Sequence, residues 1–414
     1  MASARQLRGE RRHAVAVAVS IVVAMLFPRA GFAAEGPYTP TSDDEVLERL
    51  PVGLRSADLR RERAALADDP ENLRDSVSLA RSYLETARTE GDGRFLGYTQ
   101  SILAPWWHQI SPPDDVRLAR SAVFGMTLEL DRALAELDAV LSGNPDHPGA
   151  LAARMEICLA RGDLAGARAA LDAGRPGLSP REATLASARC DRWTGRLAAT
   201  VASLESLLVD GADGAGGGGS VAERYAALAL LAELLMQQGR WDDAGARFAE
   251  MRRLGKRDVR VLALEADLGL RQGRFEEVME RLKGETGHDG LAVLLLEAWN
   301  RRATTDPGEL ERRTLLQRQV EKHFDDRRAR GDASVLPDSL RYWLRVRPDR
   351  GKAAERAEAL WAIRRTLDDV WLILEAARYA GADGLLGRVT EWLERTDVKD
   401  ARLDGLIPGR EASR

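Results

Sequence analysis

The residues on which enzyme chemistry most often rests are scarce in this 414-residue chain, which holds five histidines and two cysteines. Past residue 33 the histidines are His108, His147, His288 and His323, and they stand beside prolines, acids or aromatics without metal-ligand spacing, which places them at turns or on the surface. There is no His-Glu-x-x-His, no Gly-x-Ser-x-Gly and, after residue 33, no Ser-x-x-Lys, so the commonest zinc-protease and acyl-transfer signatures are excluded. No long Lys/Arg block occurs, which argues against nucleic acid or an anionic membrane as the main partner, because both need clustered positive charge. Aromatics make up 5% of the chain and no alternating Val/Ile/Thr segment suggests a sheet, while Ala, Leu, Arg, Glu and Asp dominate. An all-α protein without a cofactor is expected.

What is present begins with an export signal. Arg5, Arg8, Arg11 and Arg12 precede an apolar run from Ala14 to Phe27, followed by Gly31-Phe32-Ala33-Ala34. A spanning helix needs ~20 apolar residues, and this shorter run is stopped by Pro28 and Arg29, so cleavage near Ala33 or Ala34 is expected rather than a stable anchor. Residues 1–33 carry five arginines and one glutamate, so their removal takes the formal charge from −4 to −8. A periplasmic location follows, or secretion if the source has no outer membrane. Export would place Cys158 and Cys190 in an oxidising compartment, where a disulfide and two buried free thiols both remain open.

Helical periodicity is clearest at 225–251, YAALALLAELLMQQGRWDDAGARFAEM. Leu228, Leu231 and Leu235, then Ala244, Phe248 and Met251, recur at helical spacing around Gly239, which predicts a hairpin of two helices. Ala232 and Ala244 are small where the axes cross, which permits an approach of roughly 8–10 Å. The same phase recurs, with Ala133 and Ala167 34 residues apart and Gly239 and Gly273 34 apart.

This set, Leu228, Leu231, Ala232, Leu235, Gly239, Trp241, Ala244 and Phe248, resembles the tetratricopeptide repeat, a helix-turn-helix unit of about 34 residues. The likeness extends over about residues 70–400 and is strongest from 114 to 283. Arg94 to Trp107, RFLGYTQSILAPWW, looks like a segment of exported bacterial members of that family; Trp106 and Trp107 themselves are expected to plug the junction between two repeats rather than to form a stacking ligand site. The resemblance implies a right-handed superhelical α-solenoid of about seven to eight hairpins that binds another protein or an extended peptide. In the chaperone-binding members a carboxylate clamp uses Lys and Asn; Ala229 and Glu233 stand at two of those positions here, so that ligand is not carried over.

In chain order the reading is a signal peptide (1–33), an extended arm with a short helix (34–70), a first block of repeats (71–209), a glycine-rich linker (210–220), a second block (221–284), divergent helical repeats (285–406) and a tail (407–414). The linker, DGADGAGGGGS, lacks the lysine and preceding strand of a phosphate loop and the alternating acids of a calcium loop. Acid pairs such as Asp242-Asp243, Glu276-Glu277 and Asp325-Asp326 are read as favourable charges at helix starts. Aligning the turn glycines puts Glu156, Arg189, Arg192, Glu233, Met236, Gln237, Asp267 and Arg271 on the concave face, as a mixed-charge groove for a partner. No catalytic or metal-binding set emerges. A protein-interaction scaffold, narrowly one for assembly of a cell-envelope complex, is expected; the alternative is an exported hydrolase or polymer-processing enzyme, which would need a deep pocket.

Overall fold

Hairpin follows hairpin along the chain in the computed structural model, which describes residues 56–66, 69–209, 220–396, 398–403 and 406–407. The signal, most of the arm, the glycine-rich stretch except Ser220, and the last residues of the tail lie outside these. The described residues belong to one unit, Pro51–Arg414, and contain twenty α-helices and no strand.

A first helix, α1 (Ser56–Leu66), precedes the hairpin α2 (Leu73–Glu90) and α3 (Arg94–Ile102), which ends in the short α4 (Ala104–Trp107). Then come α5 (Asp114–Met126) with α6 (Leu130–Gly143), α7 (Pro148–Arg161) with α8 (Leu164–Gly174), and α9 (Pro180–Asp191) with α10 (Leu197–Val209). The central pair is α11 (Val221–Gln237) with α12 (Trp241–Arg253), followed by α13 (Val259–Arg271) with α14 (Phe275–Leu282) and α15 (Asp289–Arg302) with the long α16 (Pro307–Ala329). The chain closes with α17 (Leu336–Arg341), which continues as a π turn over Tyr342–Val346, then α18 (Arg350–Ile363), α19 (Leu367–Ala380) and α20 (Asp383–Thr396). This is an all-α solenoid.

Local chemistry sets the boundaries. Ser179, Ser220 and Thr366 each open a helix with a reciprocal capping box, through Glu182, Glu223 and Asp369, so two orphan amides are satisfied at each start. Ala133, Ala167, Ala232 and Ala244 are fully buried, as close crossings demand. Gly162, Gly195, Gly239 and Gly273 all take positive φ at the hairpin turns. Leu128 stands 34 residues before Gly162, in the same left-handed conformation at φ 64°, and is buried. A leucine there carries backbone strain of roughly 1–2 kcal/mol, offset by the apolar surface it buries.

Trp106 and Trp107 pack against Val77, Ala80, Leu103, Val116 and Ala119, and Trp107 meets Phe124 at 6.3 Å, so they fill the junction between the first two hairpins. Cys158 and Cys190 are both buried and free; burial pushes the Cys158 thiol up, and that of Cys190 to about 11. Asp242-Asp243 and Glu276-Glu277 do occupy first turns, of α12 and α14. Asp325-Asp326 does not: α16 runs on to Ala329, and these acids sit near its end, paired with Arg328 and Lys322.

The solenoid departs from simple stacking because its ends meet distant hairpins. Arg88 of α2 reaches Asp258 at 3.1 Å, and His288 bonds the Glu90 carbonyl. Farther along, Trp392 of α20 packs edge-on against Trp193 and Trp361 at 6.0 and 5.8 Å, and the Arg365 amide donates to the Ala160 carbonyl at 2.8 Å. That carbonyl lies in the last turn of α7, where it has no acceptor role within its own helix. One core therefore joins Met155, Cys158 and Leu171 to Leu360, Ile373 and Leu374. The cause is visible in α19, where Val370 to Leu374 are all buried; a helix apolar all round must be enclosed on every side.

Candidate functional site

The inner face of α9, α11 and α13 was expected to be an open mixed-charge groove. Instead it is largely covered by the carboxyl-terminal helices. Glu233, Met236, Gln237 and Asp267 are buried, Arg192 and Arg271 are partly buried, and only Glu156 and Arg189 stay at a solvent-facing rim, joined at 3.1 Å. The apolar side chains of α11, Leu228, Leu230, Leu231, Leu234, Leu235 and Met236, are buried against the neighbouring hairpins, and the carboxyl-terminal cover is held by charge, with Arg341 reaching Asp267.

Two charge clusters fill this covered face. In the first, Glu233 pairs with Arg192 and, at 2.7 Å, with Arg260; Gln237 accepts from Arg192 Nε and donates to its carbonyl, both at 3.3 Å. Nearby, Arg402 bonds Asp368 at 2.5 Å and Asp400 at 2.6 Å. Burial pushes the Asp368 carboxyl up, but Arg402 and Arg192 outweigh it and hold the group below its ordinary value.

In the second cluster, Asp267 of α13 receives Arg271 and Arg341, each at 2.7 Å, and Glu297 of α15 receives Arg341 at 2.8 Å and Arg301 at 2.9 Å. Burial acts on Asp267 to raise its pKa, yet Arg341 and Arg271 together hold it well below the usual carboxylate range. Arg345 from the π turn lies 3.7 Å from Glu297 and pairs with Glu375 of α19. Arg271 stands 4.1 Å from the centre of the Trp371 ring and 6.0 Å from that of Trp241, so one guanidinium lies within cation–π reach of two indoles.

These groups border a cavity of about 330 Å³. Of the residues expected on the inner face it takes in Asp267 and Arg271 only; Trp241, Glu297, Arg301, Arg341, Arg345 and Trp371 are additions. The last three come from helices in which the repeat phase had faded, so aligning turn glycines could not reach them. A signal was there: Arg341, Arg345 and Arg347 crowd around an aromatic-rich stretch, YWLRVR. The lining includes no serine, threonine, cysteine or histidine, and both of its carboxylates are clamped by arginines. The Asp267 carboxylate, held low by its guanidinium partners, is a poor proton donor or acceptor near neutral pH.

A second, wider recess of about 820 Å³ lies between α9 and α10, lined mainly by small residues such as Ala183, Ser187, Ala199 and Ser203. Among the described residues no group of His, Cys, Asp and Glu is arranged to hold a metal ion, and no helix is long and apolar enough to cross a membrane.

No family model matches the chain, and no curated protein does. Among solved structures, the crystal structure of the P58(IPK) TPR domain is similar to it at 14% identity, over 78% of this chain and 93% of that one, with a TM-score of 0.19.

Proposed function

We propose that this chain is an exported scaffold of the tetratricopeptide type that binds another protein or an extended peptide without catalysing a reaction on it. The observation that supports this reading is the stack of helix hairpins from α2 onward, a body that offers a long, rigid surface assembled from repeated short units. The periplasm is the proposed location, from the basic, apolar and small-residue order of residues 1–33, and assembly of a cell-envelope complex is the proposed setting. The partner-facing surface is the rim where Glu156 and Arg189 remain open to solvent, with the buried Glu233, Met236, Gln237 and Asp267 as the floor that fixes it.

The test is capture from periplasmic extract with residues 34–414 as bait, beside the Arg189→Glu variant. Arg189 is about one-third exposed and pairs only at the rim, so its reversal should leave folding intact while weakening capture at low salt and much less at high salt. Capture that is identical for both baits at low salt would remove this face from consideration. Turnover of an exported polymer by the purified chain would remove the non-catalytic reading.

A further inference from the structure

The cavity between α13, α15, the π turn and α19 has features that a purely structural charge cluster does not need. Four guanidinium groups, Arg271, Arg301, Arg341 and Arg345, converge there on two carboxylates, Asp267 and Glu297, and Arg345 pairs also with Glu375 outside the lining, which together leaves one positive charge in excess. Two guanidinium donors, Arg271 Nη2 and Arg345 Nε, are buried without an acceptor, although buried donors are nearly always paired. A space of about 330 Å³ remains beside them, bordered by Leu270 and the indoles of Trp241 and Trp371.

From this we infer that the cavity is a binding site for a single carboxylate carried on a compact apolar or aromatic body. The excess of one charge is the first reason: a monoanion neutralises it, whereas a phosphate dianion would leave a net negative charge beside Asp267 and Glu297. The second is shape, since a planar carboxylate matches the guanidinium fork and is recognised by two parallel N–H bonds. The third is the lining itself, where two indoles and a leucine stand beside the guanidinium groups and favour a flat apolar body over a hydrated one. The volume admits a group the size of one amino-acid side chain with its carboxylate. Both a free organic acid and the last residue of a polypeptide present this chemistry. The site does not depend on the scaffold reading, because its ligand is defined by the cavity alone.

Arg301 marks the accessible side. Its side chain is about one-third exposed, against about one-tenth for Arg341, so an entering carboxylate meets Arg301 first and the Arg271–Trp371 pair deeper in.

The experiment is calorimetric titration of residues 34–414, at low salt, with N-acetyl-phenylalanine, its carboxamide and inorganic phosphate. The acid should bind at one site, and the carboxamide and phosphate at least tenfold more weakly. Arg301→Gln, at a partly exposed position, should fold as the parent does and lose at least tenfold in affinity for the acid; Arg271→Gln should lose as much. An acetylated tripeptide ending in phenylalanine assigns the source: tighter binding than the single residue indicates a polypeptide terminus, and equal or weaker binding a free acid. Equal affinity for acid and carboxamide, no measurable heat with the acid, or undiminished binding by Arg301→Gln with its parent's circular dichroism and melting curve would each overturn the inference.

Discussion

Replacing Arg341 by methionine should loosen the carboxyl-terminal helices from the inner face while leaving the rest of the solenoid folded. Its guanidinium holds two carboxylates on different helices, Asp267 at 2.7 Å and Glu297 at 2.8 Å, and the Glu297 side chain is only 1% exposed. Methionine keeps the apolar stem but strands both acids. Breaking a buried pair by removing one partner costs about 3–5 kcal/mol, and the retained contacts of Arg271 with Asp267 and Arg301 with Glu297 place this case near ~3 kcal/mol. The sign of the pH dependence follows from Asp267, whose pKa is depressed in the fold. Its contribution is full above the unfolded carboxylate value of about 3.9 and is lost as pH falls through the lower folded value. The deficit of Arg341→Met should therefore be constant from pH 5 to 8 and shrink in stronger acid. Segment-resolved hydrogen exchange is the suitable assay, because solenoids often unfold in parts rather than all at once. Protection in α15, α17 and α19 should drop about a hundredfold, with α5 to α8 less affected. A variant within ~0.5 kcal/mol of the parent across all segments would refute the reasoning.

Three further outcomes follow from the same geometry. Burial, with Asp289 nearby, raises the Asp338 carboxyl to about 6 against the opposing pull of Arg327 and Arg364, so stability is lost as pH rises from the ordinary carboxylate value through about 6. Asp338→Asn should accordingly melt higher than the parent at pH 7.5, by an amount on the order of 1–2 kcal/mol, and match it near pH 4; a variant less stable at pH 7.5 would contradict this. Trp392→Ala removes the ring that meets both Trp193 and Trp361 and should cost about 3–5 kcal/mol, read as lost protection in α20 and at the end of α7. Arg192→Glu sets a second carboxylate against buried Glu233 and should destabilise α11 strongly, whereas Arg189→Glu should shift the melting midpoint little, because exposed pairs contribute ~0–1 kcal/mol; equal stability of the two variants would be evidence against the covered inner face.

The hairpins were legible where two independent signals coincided. Ala133, Ala167, Ala232 and Ala244 announced close crossings, and Gly162, Gly239 and Gly273 announced the turns between them. Leu128 shows that the phase can hold without its glycine, since the buried side chain offsets the strained backbone. The inner face was not legible, because repeat phase identifies which residues point inward and not what fills the space. Two runs carried that information unread: Leu291 to Ala298 and Val370 to Leu374, each buried on every side. A helix with no polar face needs more neighbours than its own hairpin supplies, and those neighbours are the earlier repeats. The arginine cavity escaped for a related reason, since its walls join residues about 130 positions apart, Trp241 and Trp371, through contacts that no local spacing encodes.

The measurement that bears most directly on the covered inner face is exchange at one amide. The Arg365 N–H lies between α18 and α19, outside either helix, and bonds the Ala160 carbonyl at the end of α7. In a solenoid whose carboxyl-terminal helices stood away from the earlier repeats, it would have no partner. Residue-resolved hydrogen exchange on residues 34–414 should find this amide slowed at least about a hundredfold relative to an unstructured chain, a protection of about 2.7 kcal/mol. Free exchange at Arg365, with α18 and α19 themselves protected, would show the ends apart and contradict the account.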